Sequence, residues 1–443
     1  MGTINRRLSW HPCYPIMLRT AKLHLRSSVL RTFATSTAIT GVGLANSVLL
    51  ARSLGATRRG ELAAVLLWPP FVGSVAGLGM YTAITYFTAR KDSQLGVVMG
   101  SALTCGALQA TIGVLAAYFL LPFLLYDQSA SVVSSARLYL TYVPMSFASQ
   151  YLLSILQGKL YFGALNLLRS IVPVGYFIGT VGLVLLHRLE LQNVVIVQIG
   201  LQLIVLLMAA AIIAIKGLLT GISVDRHMIR QLMSYGSRVY AGEMTGNVNT
   251  RLDQMLLAGL FPPKMLGLYV VAVAAASGPE MLANAVRIVS SPRIAGFDTK
   301  ADGSAQLVRT FNRYLKASLP FAAALALVLP FLIPMVYGRD FRATVPTAEI
   351  LVLAGVVLGA AVVLGAGGQA LGDPWIASKA QICAVPVTIG LLLFLLPRFG
   401  ILGAGLASLA AYTAQLIIVV LGLHKHGLSW RGLAGMRKAR GDA

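Results

Sequence analysis

Runs of about 20 apolar residues, each long enough to cross a bilayer's hydrocarbon core as a helix, recur along almost the whole chain. Twelve such segments are expected, centred near residues 42, 74, 108, 145, 175, 204, 247, 278, 325, 358, 386 and 412. No gap between them leaves room for a soluble catalytic domain. A β-barrel would instead show short segments of alternating polarity. Of the 443 residues, 57% are hydrophobic and 11% are charged, against about 25% charged in soluble domains. The expected fold class is an all-α polytopic membrane protein.

The net charge is +22, and its distribution sets an orientation. With the N-terminus inside, only Arg52, Arg58, Arg59, Arg188, Lys264, Arg339, Arg342 and Arg398 fall in loops on the far side. Most other basic residues then face the cytoplasm, so both termini are expected there. Positive-inside loops and anionic lipid account for the basic balance, and no nucleic-acid partner is needed. The first 60 residues hold no acidic residue, and the start lacks the compact apolar core of a signal peptide. Such an arm fits an organellar transit peptide or a cytoplasmic segment resting on anionic headgroups, and we take the second reading. Cys13, Cys105 and Cys383 show no CxxC spacing, and the histidines form no ligand pair within a segment. No metal, cofactor or disulfide framework is expected.

The chain repeats itself. Leu49-Leu50-Ala51 with Gly60 nine positions on matches Leu256-Leu257-Ala258 with Gly267, an offset of 207 residues. Six segments per half make the repeats parallel, with a binding site expected between the lobes. The expected division is a basic cytoplasmic arm (1–30), a first six-helix lobe (31–216), a cytoplasmic inter-lobe loop (217–232), a second six-helix lobe (233–424) and a basic cytoplasmic tail (425–443). The offset sets Ser36, Thr40 and Asn46 against Glu243, Asn247 and Asp253. The second lobe is therefore expected to carry the functional charge and the more positive cavity lining.

Charges inside apolar segments mark the candidate site. A charge near the bilayer centre costs ~2.5–3.5 kcal/mol on insertion scales, so such residues face a bundle interior or a watery cavity. The seventh segment holds Arg238, Glu243, Arg251 and Asp253. On a helical wheel Glu243, Asn247, Thr250 and Gln254 fall within about 60° of one another, with Arg251 close by. In the eighth segment Ser277, Glu280, Asn284, Arg287 and Ser291 share one face. Substrate contacts are expected from Arg251, Arg287, Glu243, Asn247, Thr250, Gln254 and Asn284, and coupling or gating from Asp253 and Glu280. Arg137, Arg169 and Gln109 are further candidates, but both arginines also read as segment-end side chains reaching for headgroups. Glu280 with Arg287 reads equally as an internal clamp, and Arg238 as a cytoplasmic-edge charge.

Several stretches resemble a known family. Arg251-Leu252-Asp253-Gln254-Met255-Leu256-Leu257-Ala258-Gly259 followed by Leu266-Gly267-Leu268-Tyr269 is similar to the start of the second lobe in bacterial polysaccharide-biosynthesis flippases. These belong to the multidrug/oligosaccharidyl-lipid/polysaccharide exporter superfamily. Gly60-Glu61-Leu62, Tyr337-Gly338-Arg339-Asp340-Phe341 and Pro397 to Ser408 resemble further signatures, so the likeness spans about 30 to 423. It implies alternating-access translocation of an undecaprenyl-pyrophosphate-linked oligosaccharide across the bacterial inner membrane, for exopolysaccharide, capsule or O-antigen synthesis. Asp253 stands at the aspartate of the family's seventh-segment motif. Expected partners are the lipid-linked anionic glycan, membrane lipids, H+ or Na+ as coupling ion, and a polysaccharide polymerase or glycosyltransferases. Arginine suits this substrate, because its fork gives phosphate bidentate, charge-assisted bonds.

A cation-coupled multidrug exporter of the same superfamily stays as an alternative, though no acidic residue lies well inside the first six segments. A membrane polymerase or glycosyltransferase would want a large external loop or an Asp/His cluster, so no enzymatic activity is expected. A major-facilitator transporter would carry its acidic-basic signature after the second segment, where the chain reads Ala89-Arg90-Lys91-Asp92-Ser93. A phosphatase reporter fused at residue 225 or 305 should be inactive, as a cytoplasmic fusion is. Activity at either point would refute the topology.

Overall fold

The computed structural model describes residues 14–90, 94–219, 221–297, 299–373 and 375–425; side chains at 14–34, 241–243, 292 and 300 lie outside the description. Helix follows helix: α1 (Tyr14–Ala76), α2 (Met80–Ala89), α3 (Leu95–Leu124), α4 (Ala130–Tyr139), α5 (Tyr142–Gly158), α6 (Phe162–Leu185) and α7 (Leu191–Ile215) form the first lobe. The second holds α8 (Arg226–Asn249), α9 (Leu252–Leu260), α10 (Pro263–Ala276), α11 (Gly278–Ala295), α12 (Lys300–Val336), α13 (Val345–Ala370), α14 (Trp375–Phe399) and α15 (Ile401–His424). A 3-10 turn, Arg339–Thr344, links α12 to α13.

Among the described residues eight helices are long and apolar enough to cross a membrane, and α10 with α11 makes a ninth crossing bent by 47°. The other crossings are divided helices. The first two spans share α1, which turns at Gly55 (φ 67°), and α2 completes the second. The fourth is α4 with α5 and the seventh is α8 with α9, which together give the twelve-span layout. Glycine supplies two of the turns between helices. Gly79 takes a left-handed φ of 67° before α2, as does Gly400 (φ 58°) before α15, conformations open to glycine without strain. Arg251 (φ −126°, ψ −5°) leaves helical geometry between α8 and α9.

Two expected boundaries move. The backbone is already helical at Tyr14, inside the expected arm. The link between lobes ends at Asp225, because its carboxylate accepts the His227 and Met228 N–H groups, both at 3.1 Å, and starts α8 at Arg226. That is an N-cap, which satisfies two of a helix's orphan donors. Residues 1–13 of the arm and 426–443 of the tail lie outside the described residues.

The lobes meet most closely where the repeat predicted equivalence. A Cβ built on Gly60 would lie 1.7 Å from the Pro263 carbonyl oxygen and 2.9 Å from Gly267 N; one on Gly267 would lie 1.9 Å from the Ala56 oxygen and 2.9 Å from Gly60 N. Two matched glycines thus let the α1 and α10 backbones touch. The flanks are closed by side chains on backbone carbonyls. Arg52 donates from Nε to Val336 O at 2.7 Å and also to Met335 O, covering orphan carbonyls at the end of α12. Gln128 Nε2 donates to Ala258 O at 2.9 Å and Phe261 O at 3.3 Å. At the other end of the bundle Gly236 of α8 packs on Gly79, and the Tyr86 and Tyr235 rings stack at 4.5 Å and 13°.

Gly60→Val puts a branched side chain where no Cβ fits, so closure at this end should weaken by ~1–3 kcal/mol. Labelling of Ala56→Cys by a membrane-impermeant thiol reagent, with Cys383 replaced, should rise in the Gly60→Val background. Unchanged labelling would mean that the glycine contact does not hold this end shut.

Candidate functional site

A cavity of about 700 Å³ lies between the second span of the first lobe and the seventh span. Its walls come from four places. The stretch from Pro70 to Tyr86 gives Gly73, Ser74, Gly77, Thr82 and Thr85; α5 gives Tyr142, Ser146, Gln150, Tyr151, Ser154 and Gln157; α6 gives Arg169; and α8 gives Tyr235, Tyr240 and Asn247. Gly73 and Gly77 leave room because they bring no side chain to the wall, and a Cβ at Gly77 would lie 3.3 Å from the Phe147 ring. The Ser146, Ser154 and Thr85 hydroxyls donate back to helix carbonyls at 2.7, 2.8 and 2.9 Å, which keeps their lone pairs free to accept. Gln150, Gln157 and Arg169 are exposed. Among the described lining residues there is no carboxylate, and the cation is Arg169.

The lobes are bridged across this cavity by the seventh span. Tyr240 donates its hydroxyl to Ser74 O, and Asn247 Nδ2 meets Ser74 Oγ at 3.5 Å. Beneath the wall, Tyr151 donates to Gln109 Oε1 at 2.6 Å, and Gln109 Nε2 reaches the Met233 sulfur at 3.8 Å.

Of the site residues expected from sequence, Asn247 lines the cavity. Thr250 is exposed at the end of α8 and bonds back to Gly246 O at 3.1 Å. Arg251 is exposed at the break, and Gln254 is half-buried just beyond it. Asp253 turns into the second lobe: it is buried, accepts the Tyr269 hydroxyl of α10, accepts Ser408 Oγ of α15 at 3.4 Å, and takes the Gln254 N–H at 2.7 Å. Asn249, not singled out from sequence, is also buried there and accepts the Thr388 hydroxyl at 2.5 Å. The single polar stripe read from the wheel is thus divided, because the break at Arg251 resets the helical phase. On α11 Glu280 and Arg287 are exposed and Asn284 is half-buried, and no ion pair joins Glu280 to Arg287. Glu280 and Asp253 share a neighbour, Tyr412 of α15, whose hydroxyl lies within Coulombic reach of both. The Glu243 side chain lies outside the described residues.

The cavity's arginine comes from the first lobe, not the second as expected. Arg137 instead stacks on the Tyr118 ring, 4.4 Å from its centroid. The tyrosines of the wall were missed; their signal was the recurrence of Tyr81, Tyr86, Tyr142, Tyr151, Tyr235 and Tyr240 within and at the ends of apolar segments. Among the described residues no group of His, Cys, Asp and Glu can hold a metal ion.

A profile of the polysaccharide biosynthesis protein family matches residues 49–346, and the chain belongs to that family. It is 22% identical over 429 residues to a probable low-salt glycan biosynthesis flippase, Agl15, of Haloferax volcanii, covering 92% of this chain and 84% of the relative. Among solved structures the fold is similar to the lipid II flippase MurJ in an inward closed conformation, with a TM-score of 0.74, 16% identity, and 89% and 87% of the two chains covered. It is also similar to an inward-facing multidrug MATE transporter of the MOP superfamily, with a TM-score of 0.71, 12% identity, and 91% and 96% covered. The chain is a multi-pass membrane protein of this transporter fold.

Tyr269→Phe should cost ~1–3 kcal/mol, because a buried carboxylate loses a hydroxyl donor. Thr250→Val, which removes only a back-bond to its own helix, should stay within ~0.5 kcal/mol. Thermal unfolding of the purified variants compares the two, and equal losses would refute the buried Asp253 network.

Proposed function

We propose that this chain carries a polyprenyl-pyrophosphate-linked oligosaccharide across the membrane by alternating access, serving synthesis of a surface or secreted polysaccharide. The observation that carries the reading is the inter-lobe cavity. Tyrosine faces, amides and hydroxyls suit sugar rings, and Arg169 offers a phosphate two parallel charge-assisted bonds. The prenyl tail stays in lipid, so the protein shelters only the polar head. Family membership and the flippases named above support the same substrate class. Translocation makes and breaks no covalent bond, so the chain acts as a transporter and not as an enzyme.

In this mechanism Arg251 and Arg287, exposed on the second lobe, join Arg169 as phosphate contacts when the lobes rearrange. Asn247, Thr250, Gln254, Asn284 and Glu243 supply hydrogen bonds to sugar hydroxyls. Asp253 and Glu280, both within Coulombic reach of Tyr412, form the coupling pair and take up H+ or Na+. On this reading both termini face the cytoplasm of a bacterial cell, which the basic-residue distribution supports, and the Gly60–Gly267 end faces the periplasm. The helices up to Ile215 and those from Arg226 to His424 then move as two lobes. The glycan arrives from glycosyltransferases and leaves toward a polymerase.

The second reading, export of cationic drugs, shares this fold. Against it stands the cavity lining, which holds an arginine and no carboxylate among its described residues. Arg169→Gln should reduce polysaccharide output in a flippase-deficient strain roughly tenfold or more at matched membrane abundance, the range of one charged hydrogen bond. Arg137→Gln, on a residue stacked against Tyr118, should leave output unchanged. Normal output from Arg169→Gln, Arg251→Gln and Arg287→Gln alike would eliminate the arginine-lined path. Drug resistance conferred without restored polysaccharide would favour export.

A further inference from the structure

Arg59 of α1 is 8% exposed, and its Nε has no hydrogen-bond partner among the described residues. The groups that bear on its charge are the Tyr176 and Tyr337 hydroxyls, and no carboxylate is among them. Tyr176 in turn lies beside Asn46 (4% exposed) and Gln198, and Tyr337 beside Ser47 (8%). Asn46 Oδ1, Ser47 Oγ and Tyr176 OH are likewise buried and unpaired among the described residues. None of these residues lines the inter-lobe cavity.

The repeat shows how unusual this is. Moved by 207 residues, Arg59 falls on Leu266, which is wholly buried, and Asn46 falls on Asp253. In the second lobe a carboxylate gathers the Tyr269 and Ser408 hydroxyls and a backbone N–H. In the first lobe the donors are present, Arg59 Nε–H, Tyr176 O–H and Ser47 O–H, and the acceptor anion is replaced by a neutral amide. Turned end for end, the Asn46 amide also presents a donor. A buried guanidinium in an apolar bundle calls for a counter-charge.

We infer that this cluster binds a small monovalent anion of the chloride class. Arg59 adjoins Gly60, where the lobes touch, so the anion enters and leaves when this end parts. An anion bound here ties Arg59 to hydroxyls from both lobes, since Tyr337 follows α12. The assignment is independent of what the cavity carries.

The test uses the full chain purified in detergent at constant ionic strength, with chloride titrated against gluconate. The thermal midpoint should rise saturably with chloride, because a ligand of the folded state alone stabilises it. Arg59→Leu should fold, since Leu266 fills the matched position, and should lose the chloride response. Arg59→Lys should need roughly tenfold more chloride, lacking the planar fork. Bromide crystals should show an anomalous peak at Arg59 and Ser47. If Arg59→Leu does not insert, Ser47→Ala with Arg59→Lys carries the comparison. An equal chloride response in wild type and variants, or ordered water alone at Arg59, overturns the proposal. Neither result bears on transport, which is read from polysaccharide output.

Discussion

A polar group on a membrane-crossing helix has to find its partner inside the protein, because the hydrocarbon offers none. That constraint orders most of what is seen here. Thr104, Thr111 and Thr180 turn their hydroxyls back onto their own helix carbonyls. Gln202 reaches Ser149 at 2.5 Å and Thr388 reaches Asn249, each tying two spans of one lobe. Asp253 ties three helices through hydroxyls. Among the buried side-chain groups that these pairings leave over in the described residues, Asn46, Ser47, Arg59 and Tyr176 fall together in the cluster around Arg59.

The spans and the repeat were legible because both are written in composition and register, which survive any detail of packing. The offset matched Gly60 to Gly267, and the structure sets those residues against each other. The candidate site was harder to read. A wheel assumes an unbroken helix, and the turn at Arg251 sent Asn247 toward the first lobe and Asp253 into the second. Nothing in the local sequence marks that break, which has neither glycine nor proline at its centre. Arg169 was legible as a charge but not as a cavity residue, since an arginine near a segment end reads the same whether it meets headgroups or a lumen. Arg59 was grouped with loop charges; only the packing of α1 against its neighbours buries it. The tyrosines were hidden by their usual place in interfacial belts.

The helix breaks have a mechanical sense as well. Gly79, Arg251 and Ser277 divide the second, seventh and eighth spans, the ones that meet at the lobe junction. A bent or jointed helix near a junction lets a lobe tilt while its far half stays packed. Away from the junction the fourth span is also divided, into α4 and α5, whereas α13 and α15 run unbroken.

The glycine contact also bears on how such a chain changes over generations. Residue 60 presses on 267 and 267 presses on 60, which is the geometry of an isologous interface between identical subunits, here enclosed in one polypeptide. In a dimer of half-length chains a single codon change would alter both faces together. Within one chain the two codons can change separately while their backbones remain in contact, so each glycine constrains its counterpart and their substitutions are non-additive. Arg59 and Leu266, one position earlier in each copy, lie free of that mutual restraint, and there the two halves differ, a buried arginine in one and a buried leucine in the other.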